Sequence, residues 1–463
     1  MKASMKLNDS SFRDQRFFNS NRIASLPEQH DLRTPAQHDR DRILYSSAFK
    51  RLSGVTQVVD PSEGQIFHNR MIHTLKVAQV ARRTAENLIK SNADLAGQFT
   101  IDPDVVEAAA LAHDLGHPPF GHSSEYELDR LVKRSGLADG YEGNPQSFRI
   151  VNYLEPREPD EPGLNLTRAT LNAIMKYPRF RQLSGYGHRK WGAYKTETSI
   201  FEWVRDGSYK ERRSVEAEIM DFADDIAYSL HDLEDFSRAG LIPVAELLSS
   251  VRLRGQIVDE VLRESPQPLE AGLRENLIDL FALTPFGDPQ RITGEERAII
   301  RRWLSAFITR YINSISLNEE AISNPEASTV IIPSVIRDEI RLLKHLTRRF
   351  VINTRRLATQ QEGKKRIIKD LFSIFMKAFN STDTDDNAIY ILPEDYNIQL
   401  NNLYDILSSS SIDNYRRAAK ARLTADIISN MTDNEAVSIH KRLVGANSGS
   451  VMDIIMYSGF HIH

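Results

Sequence analysis

The sequence predicts an all-α fold, and three patterns support that prediction. From Asp39 onward, apolar residues recur every three or four positions over most of the chain, as amphipathic helices require. Cap and breaker residues stand at the ends of these runs, while the Val/Ile/Thr alternation typical of strands is scarce. We expect at most a short hairpin within 179–212, where glycines and aromatic residues cluster.

Each predicted helix has apolar residues on one face and a recognisable start or stop. One begins at Asp102-Pro103, a cap followed by proline in the first turn, and ends before Gly116. Another begins at the cap Ser214 and ends near Gly240, and Thr293 starts a predicted capping box. The predicted helices are 72–88, 102–115, 166–177, 214–240, 293–312, 334–358, 366–380, 393–409 and 412–430.

Composition excludes several classes of protein. With 463 residues, 41% hydrophobic, and only 22 Gly and 19 Pro, the chain is neither fibrous nor of low complexity. A net charge of −4 means that a nucleic acid would need a local basic patch. The absence of cysteine excludes disulfides, thiolate metal sites and cysteine nucleophiles. Without a long apolar run or a signal-like N-terminus, we expect a cytoplasmic protein and no membrane partner.

Histidines and aspartates at three places predict a metal site. His73 lies on the first strong helix, His113-Asp114 closes the second, and Asp224 lies within the acidic helix 214–240. Imidazole and carboxylate ligands suit a divalent ion such as Mn, Mg, Fe, Co, Ni or Zn. Adjacent His and Asp can supply two ligands, so separate helices must supply the others. His73 and Asp224 are well placed to do so.

The turn HDLGHPPFGH brings two further imidazoles, His117 and His122, close to this pair, because glycine and proline fix its path. In the later helix, Asp224, Tyr228 and Asp232 follow at intervals of four residues. Side chains at that spacing point from one face of a helix. We therefore expect these three side chains to lie together.

Five segments resemble the HD-domain deoxynucleoside triphosphate triphosphohydrolases, the dGTPase family. They span roughly half the chain and occur in the order of the family. The segments are DRDRILYSSAFKRLSGVTQV at 39–58, Arg70-x-x-His73, HDLGHPPFGH at 113–122, EGNPQSFR at 142–149 and ADDIAYSLHDLED at 223–235. The set is highly specific, whereas an isolated His-Asp pair is a weak signal.

The resemblance implies the roles of the site residues. One divalent metal would be bound by His73, His113, Asp114 and Asp224, with His122 as the catalytic histidine and Glu125 as the carboxylate that orients it. The residues that the resemblance places around the substrate are Gln57, Arg70, His117, Asn144, Lys176, Tyr177, Lys195, Tyr228 and Asp232. Within that set, Gln57 and Asp232 would contact the 3′-hydroxyl of the deoxyribose. The implied reaction is hydrolysis of a dNTP, with dGTP among the substrates, to deoxynucleoside and inorganic triphosphate.

The residue types suit that reaction independently of the resemblance. Arg binds phosphate oxygens in bidentate fashion and Lys acts as a point charge. Hydrolysis at phosphorus needs a Lewis acid and an imidazole that moves a proton, and a neighbouring carboxylate fixes the tautomer of that imidazole. Structural alternatives stay open: Tyr177 could pack in the core, Lys195 could be solvated, and Glu125 could be a first-turn helix carboxylate.

The polar composition of the N-terminus and the resemblance together predict a division of the chain into three parts. We expect a poorly ordered segment at 1–38, an HD phosphohydrolase core at 39–240, and a helical regulatory or oligomerisation region at 241–463. The broad apolar face of 298–312 favours a homo-oligomer, and the resemblance points to a hexamer.

Two other functions remain open. A different HD phosphohydrolase, such as a 5′-nucleotidase or phosphodiesterase, would share the metal residues but would have no use for Gln57, Tyr228 and Asp232 together. A nucleic-acid-binding regulatory protein would use the basic stretch 344–369. Within an enzyme, the same stretch could bind a nucleotide or single-stranded DNA effector through Arg348, Arg349, Arg355 and Arg356.

Overall fold

The computed structural model describes residues 9–18, 31–59, 68–155, 157, 162–182, 190–208, 211–265, 272–282, 294–381, 391–393, 396–409 and 412–447. Its first eleven helices are α1 Ser10–Arg13, α2 Pro35–Tyr45, α3 Ser47–Arg51, α4 Arg70–Ser91, α5 Ala93–Phe99, α6 Pro103–Ala112, α7 His122–Arg134, α8 Gly143–Arg149, α9 Arg168–Ile174, α10 Thr198–Arg205 and α11 Val215–Arg238. These are followed by α12 Val244–Ser249, α13 Val251–Glu264, α14 Leu273–Ala282, α15 Gly294–Ser314, α16 Glu320–Ser323, α17 Ser334–Thr347, α18 Arg355–Ser381, α19 Tyr396–Ser408, α20 Tyr415–Ser429 and α21 Asp433–Leu443.

The structure confirms the all-α fold. In the described part of the chain there are two strands of two residues each, β1 Ser316–Leu317 and β2 Val330–Ile331, and they pair antiparallel. The described residues of 179–212 contain α10 instead of the hairpin expected there. None of the helices described is long and apolar enough to cross a membrane.

Several predicted boundaries are wrong. The helix predicted over 334–358 ends at Thr347 and continues as one π-helical turn, Arg348–Ile352, before α18 begins at Arg355. Helix α21 was not predicted, although Thr432 and Glu435 form a capping box at its start. The capping box expected at Thr293 lies outside the described residues.

Part of the N-terminal segment expected to be poorly ordered packs on the core. Helix α1 is capped by Asp9, whose side chain accepts from the Ser11 N–H. Arg13 forms an ion pair with buried Glu216 at 2.5 Å, and Arg16 donates to buried Asp39 at 2.7 Å. Residues 9–18 are therefore attached to the core by charge pairs as well as by apolar contact.

The described apolar residues form two cores. The first is built around α2, α4, α6, α9 and α11 and also takes in α13, α15 and α17. Residues 298–312 contribute Trp303, Phe307 and Tyr311 to it, all nine-tenths or more buried. The apolar face that favoured an oligomer is thus largely covered within the chain, and the homo-oligomer, including the hexamer, remains only a prediction.

The second core joins the HPPFGH turn to the C-terminal helices. Phe120, Leu128 and Val132 pack there with apolar residues of α18, α19, α20 and α21. The boundary predicted at residue 240 does not coincide with the division between the two cores, because α7 belongs to the second core while α13, α14, α15 and α17 belong to the first.

A buried charge network fastens α20 to α8. The Arg149 guanidinium donates to Asp426 Oδ2 at 2.9 Å and to Glu197 Oε1 at 2.6 Å, and Gln146 Nε2 donates to Asp426 Oδ1 at 2.9 Å. Asp426 and Glu197 are fully buried. Because each charge has a partner, the network sets the position of α20 against the first half of the chain.

Removal of one partner should therefore destabilise the fold strongly. We expect Asp426→Ala to lower the free energy of unfolding by ~3–5 kcal/mol, because it leaves the Arg149 guanidinium buried without its main counter-charge. Urea unfolding followed by circular dichroism measures this change. Glu362→Ala is the control, since the Glu362–Lys365 pair is exposed and should contribute at most ~0.5 kcal/mol. A loss below ~1 kcal/mol in Asp426→Ala would contradict the role of the network.

Candidate active site

Three helices bring His73, His113 and Asp224 together. Helix α4 is capped by Asn69, which places His73 one turn inside the helix, and His113 is the C-cap of α6. Asp224 Oδ1, from the middle of α11, lies 3.2 Å from His73 Nε2 and 3.8 Å from His113 Nε2. One ligand atom from each residue lies within 4.8 Å of the others, a spacing that suits one metal ion.

The hydrogen bonding of His113 fits a metal ligand. Its Nδ1 lies 2.6 Å from the carbonyl oxygen of Ala110, so Nδ1 carries the proton and donates. Nε2 then presents a lone pair, and this buried atom has no hydrogen-bond partner among the described residues. A buried acceptor of this kind, facing Asp224 and His73, is satisfied by a cation.

Asp114 lies beside this group and joins it to Arg70. Its Oδ1 is 3.4 Å from His113 Nε2, and its Oδ2 accepts from Arg70 Nη1 at 2.6 Å. Burial raises the pKa of Asp114, but its interactions with His113, Arg70 and His117 outweigh that effect and hold the pKa well below its ordinary value. Asp114 is therefore an ionised carboxylate. One of its oxygens is directed at the group of His73, His113 and Asp224, which we call the metal group.

His117, His122 and Glu125 form a second group in the adjoining turn. Glu125 Oε2 lies 2.9 Å from His122 Nδ1 and 3.9 Å from His117 Nε2. Glu125 is buried, whereas the His122 side chain is 70% exposed and accessible to a ligand. Burial, and then the nearby charge of Arg70, lowers the pKa of His117 to about 4. His117 is therefore neutral at pH 7, packed between Asp114 and Glu125.

The backbone of this turn explains its glycines. Gly121 has a φ of +66°, and a Cβ there would come within 3.3 Å of Arg70 Nη2. At Gly116 a Cβ would lie 2.2 Å from the carbonyl oxygen of Gly143 and 2.3 Å from the Ser147 nitrogen. Both glycines are needed for close approach, which packs the turn against Arg70 on one side and α8 on the other.

Lysine and glutamate residues extend the second group. Lys190 Nζ lies 3.2 Å from Glu125 Oε1 and also contacts Glu142. Asn144, which the sequence placed near the substrate, donates from Nδ2 to Glu142 Oε1 at 2.9 Å. The ammonium of Lys195 lies instead over the Phe180 ring, 4.1 Å from its centroid. Lys190 is thus the lysine of this segment that the structure brings to Glu125, and sequence reasoning missed it.

Lys176 neutralises the carboxylates of α11. Its Nζ lies 2.6 Å from Asp221 Oδ1 and 3.1 Å from Asp224 Oδ2. Burial lowers the pKa of Lys176, but the two carboxylates outweigh it, so the pKa lies well above its ordinary value. Lys176 is a partly buried cation next to Asp224, and its role as a phosphate ligand stays a prediction. Tyr177 is half-buried, and its ring lies 5.8 Å from the Arg179 guanidinium carbon.

Gln57, Tyr228 and Asp232 border the same region. The Gln57 carbonyl accepts from Arg70 Nη2 at 3.5 Å. Its side-chain Oε1 and Asp232 Oδ2 are buried acceptors without a hydrogen-bond partner in the described part of the chain. Burial, then the nearby Asp235 charge, raises the pKa of Asp232 well above its ordinary value. Two unsatisfied buried acceptors suit a hydroxyl donor from a ligand.

Two C-terminal contacts that the sequence did not reveal hold the site together. Asp433, the first residue of α21, accepts from the Thr56 N–H at 3.1 Å and from the Phe120 N–H at 2.7 Å. Buried Arg51 donates to the carbonyls of Leu115 at 2.6 Å and Met431 at 3.0 Å. The capping box Thr432–Glu435 was the available signal for Asp433, since it marks a helix start.

Comparisons with known proteins agree with this geometry. A family model of the HD domain matches residues 70–229, and one of the phosphohydrolase-associated domain matches residues 330–442. The HD match contains His73, the HDLGHPPFGH turn and Asp224. Fold and site therefore define an HD-domain phosphohydrolase.

Individual relatives identify the family. A deoxyguanosinetriphosphate triphosphohydrolase-like protein of Streptomyces coelicolor is 32% identical over 443 residues, covering 92% of this chain and 96% of the relative. A protein of the same description from Corynebacterium efficiens is 36% identical over 370 residues, covering 76% and 83% of the two chains. The chain belongs to the deoxyguanosinetriphosphate triphosphohydrolase-like family, which confirms the resemblance.

The first prediction for the site concerns the metal. We expect Asp224→Ala to lose the metal that the wild-type protein retains, because Asp224 approaches both His73 and His113. Elemental analysis of protein purified in the presence of Mn²⁺ measures this loss. Asp225→Ala is the matched control, since Asp225 pairs with Lys344 instead. Stoichiometric metal in Asp224→Ala together with loss in Asp225→Ala would reverse the assignment.

Proposed function

We propose that the protein hydrolyses deoxynucleoside triphosphates, dGTP among them, to deoxynucleoside and inorganic triphosphate. The observation that carries this proposal is the pair of groups in one site: His73, His113 and Asp224 within 4.8 Å of one another, and His122 paired with Glu125 beside them. The printed descriptions of the relatives, deoxyguanosinetriphosphate triphosphohydrolase-like proteins, support the same reaction.

His73, His113, Asp114 and Asp224 would hold one divalent ion, which when bound supplies Lewis-acid polarisation at the phosphate. Four ligands of this kind do not select one metal from Mn, Mg, Fe, Co, Ni and Zn. The His73 side chain is itself only 3% exposed, and close packing of this kind limits movement of a ligand ring.

His122 is the proposed proton carrier. The Glu125 carboxylate accepts from His122 Nδ1, which leaves Nε2 of the exposed imidazole to exchange a proton with the reacting groups. Lys190 fixes the opposite oxygen of Glu125. Burial raises the pKa of Glu125, but His122 and then Lys190 outweigh it and hold the pKa well below its ordinary value, so the carboxylate stabilises the imidazolium that forms.

The cations around the site are the proposed phosphate ligands. Arg70, Lys176 and Lys190 come from three separate segments, and each is paired with a carboxylate of the site. Tyr177, Asn144 and His117 would line the same pocket. Lys195 has less support because its ammonium lies over Phe180.

The unsatisfied acceptors of Gln57 and Asp232 support the proposed contact with the 3′-hydroxyl. Tyr228 lies on α11 between Asp224 and Asp232, and its ring would close the pocket at C2′ of the sugar against a ribose. The alternative function, that of a 5′-nucleotidase or phosphodiesterase, has no use for Gln57, Tyr228 and Asp232 together.

Product analysis tests the proposal. We expect wild-type protein with Mn²⁺ to convert dGTP to deoxyguanosine and inorganic triphosphate, separated by ion-exchange chromatography. His122→Ala should lower kcat by about 10²–10⁴ with little change in KM, as for a general acid–base group. Tyr126→Ala, an exposed position on the same helix, is the control. Release of a nucleoside monophosphate and pyrophosphate would favour the alternative phosphohydrolase.

Sugar selection gives a separate test. We expect GTP to be hydrolysed far more slowly than dGTP, and Asp232→Ala to raise KM for dGTP while the bound metal stays at its wild-type level. Loss of one hydrogen bond between protein and substrate corresponds to a fall of roughly 2- to 10-fold in kcat/KM. Glu234→Ala, on the same helix, is the control. Equal turnover of GTP and dGTP would refute the proposed closure at C2′.

A further inference from the structure

The basic stretch 344–369 does not form one continuous anion-binding surface. Lys344 pairs with Asp225, Arg349 with Glu260, and Arg348 with Glu264 at 3.4 Å. The arginines expected to bind an effector are therefore partly neutralised by α13. Arg355 and Arg356 are exposed on the first turn of α18.

A different basic surface lies between α7, α18 and α20. A groove of about 850 Å³ runs between these helices. No carboxylate belongs to its lining within the part of the chain that the structure describes, and none of the candidate active-site residues borders it. Its cationic lining residues are Arg134, Lys369, Lys377, Arg416, Arg417 and Lys420.

Two of these arginines stand at the positive end of a helix dipole. Helix α20 is capped by Asn414 and has no acidic residue in its first turn, where Arg416 and Arg417 stand instead. The positive end of a helix dipole favours anions, and cations there are destabilising by a comparable amount. An anion in the groove would interact favourably with the helix end and with both guanidinium groups.

The side chains that line the groove restrict the class of ligand that can bind there. Phe372 is the aromatic residue among the lining residues, and it is only 4% exposed because it packs in the second core. Proteins that bind single strands without sequence preference stack bases on accessible aromatic rings, and this groove offers no such ring among its described residues. A volume of about 850 Å³ is within the range of small-ligand pockets. Charge without a stacking surface favours a compact, phosphate-rich anion.

We propose that this groove is a binding site for an oligophosphate chain, either inorganic triphosphate or the triphosphate group of a nucleotide. Three helices contribute its cations, so the chain would be gripped from α7, α18 and α20 at once. The site is separate from the proposed catalytic one and does not depend on the proposed reaction.

The test compares two charge-reversed variants of the full-length protein. Lys369→Glu/Arg417→Glu reverses two exposed cations of the groove, and Arg355→Glu/Arg356→Glu reverses two exposed cations outside it. Isothermal titration with inorganic triphosphate and with ATP, in the presence of Mn²⁺, measures binding; any binding at the active site is common to all three proteins. We expect at least 10-fold weaker groove binding in the first variant only, and weaker wild-type binding at higher salt.

The two probes distinguish the sources of the phosphate chain. Similar affinities for both identify the chain alone as the ligand, and tighter binding of ATP identifies a nucleotide. An unchanged isotherm in Lys369→Glu/Arg417→Glu would overturn the site, provided that its melting curve and dGTP hydrolysis match those of the wild type. Tighter binding of a single-stranded oligonucleotide than of either probe would overturn the ligand class.

Discussion

The two walls of the site are held together by the carboxylate of Asp433. Its Oδ2 accepts from Thr56, next to Gln57, and its Oδ1 accepts from Phe120, next to Gly121 and His122. Asp433 is buried, so neither oxygen can exchange these partners for water without cost. One carboxylate from the C-terminal part of the chain therefore fixes the distance between the Gln57 loop and the turn that carries the candidate proton carrier.

Charge pairing within the site has a consequence for ligand binding. Arg70 is paired with Asp114, Lys176 with Asp221 and Asp224, and Lys190 with Glu125. In the proposed reaction a metal ion would take oxygens of Asp114 and Asp224, and phosphate oxygens would take their cationic partners Arg70 and Lys176. Because each partner gains a charged ligand as it gives one up, the buried groups need not pass through an unpaired state. Metal and substrate binding should then reinforce each other.

The parts of the fold that local chemistry specifies were predictable, and those that depend on distant contacts were not. Helices α4, α6 and α11 follow from apolar periodicity and from the caps Asn69, Asp102 and Ser214. The apolar pattern of the sequence stays helical through 348–352. The π-helical turn found there could therefore not be predicted from that pattern. His73, His113 and Asp224 were predictable as neighbours from motif order. The choice between Lys190 and Lys195 was not, because both lie in one irregular segment and only packing decides which ammonium reaches Glu125.

The C-terminal region is part of the site and not an appendage to it. Helix α7 begins with His122, but its buried residues Leu128 and Val132 pack with α18 to α21 and not with α4, α6 and α11. Arg149, at the end of α8, has its principal partner Asp426 on α20. His73, His113 and Asp224 lie on or at the ends of helices of the first core, whereas His122, the proposed proton carrier, begins a helix that packs in the second. An HD domain cut at the end of α11 would keep His73, His113 and Asp224 but would expose the apolar face of α7. The phosphohydrolase-associated region therefore supplies the support that places His122 against the metal group.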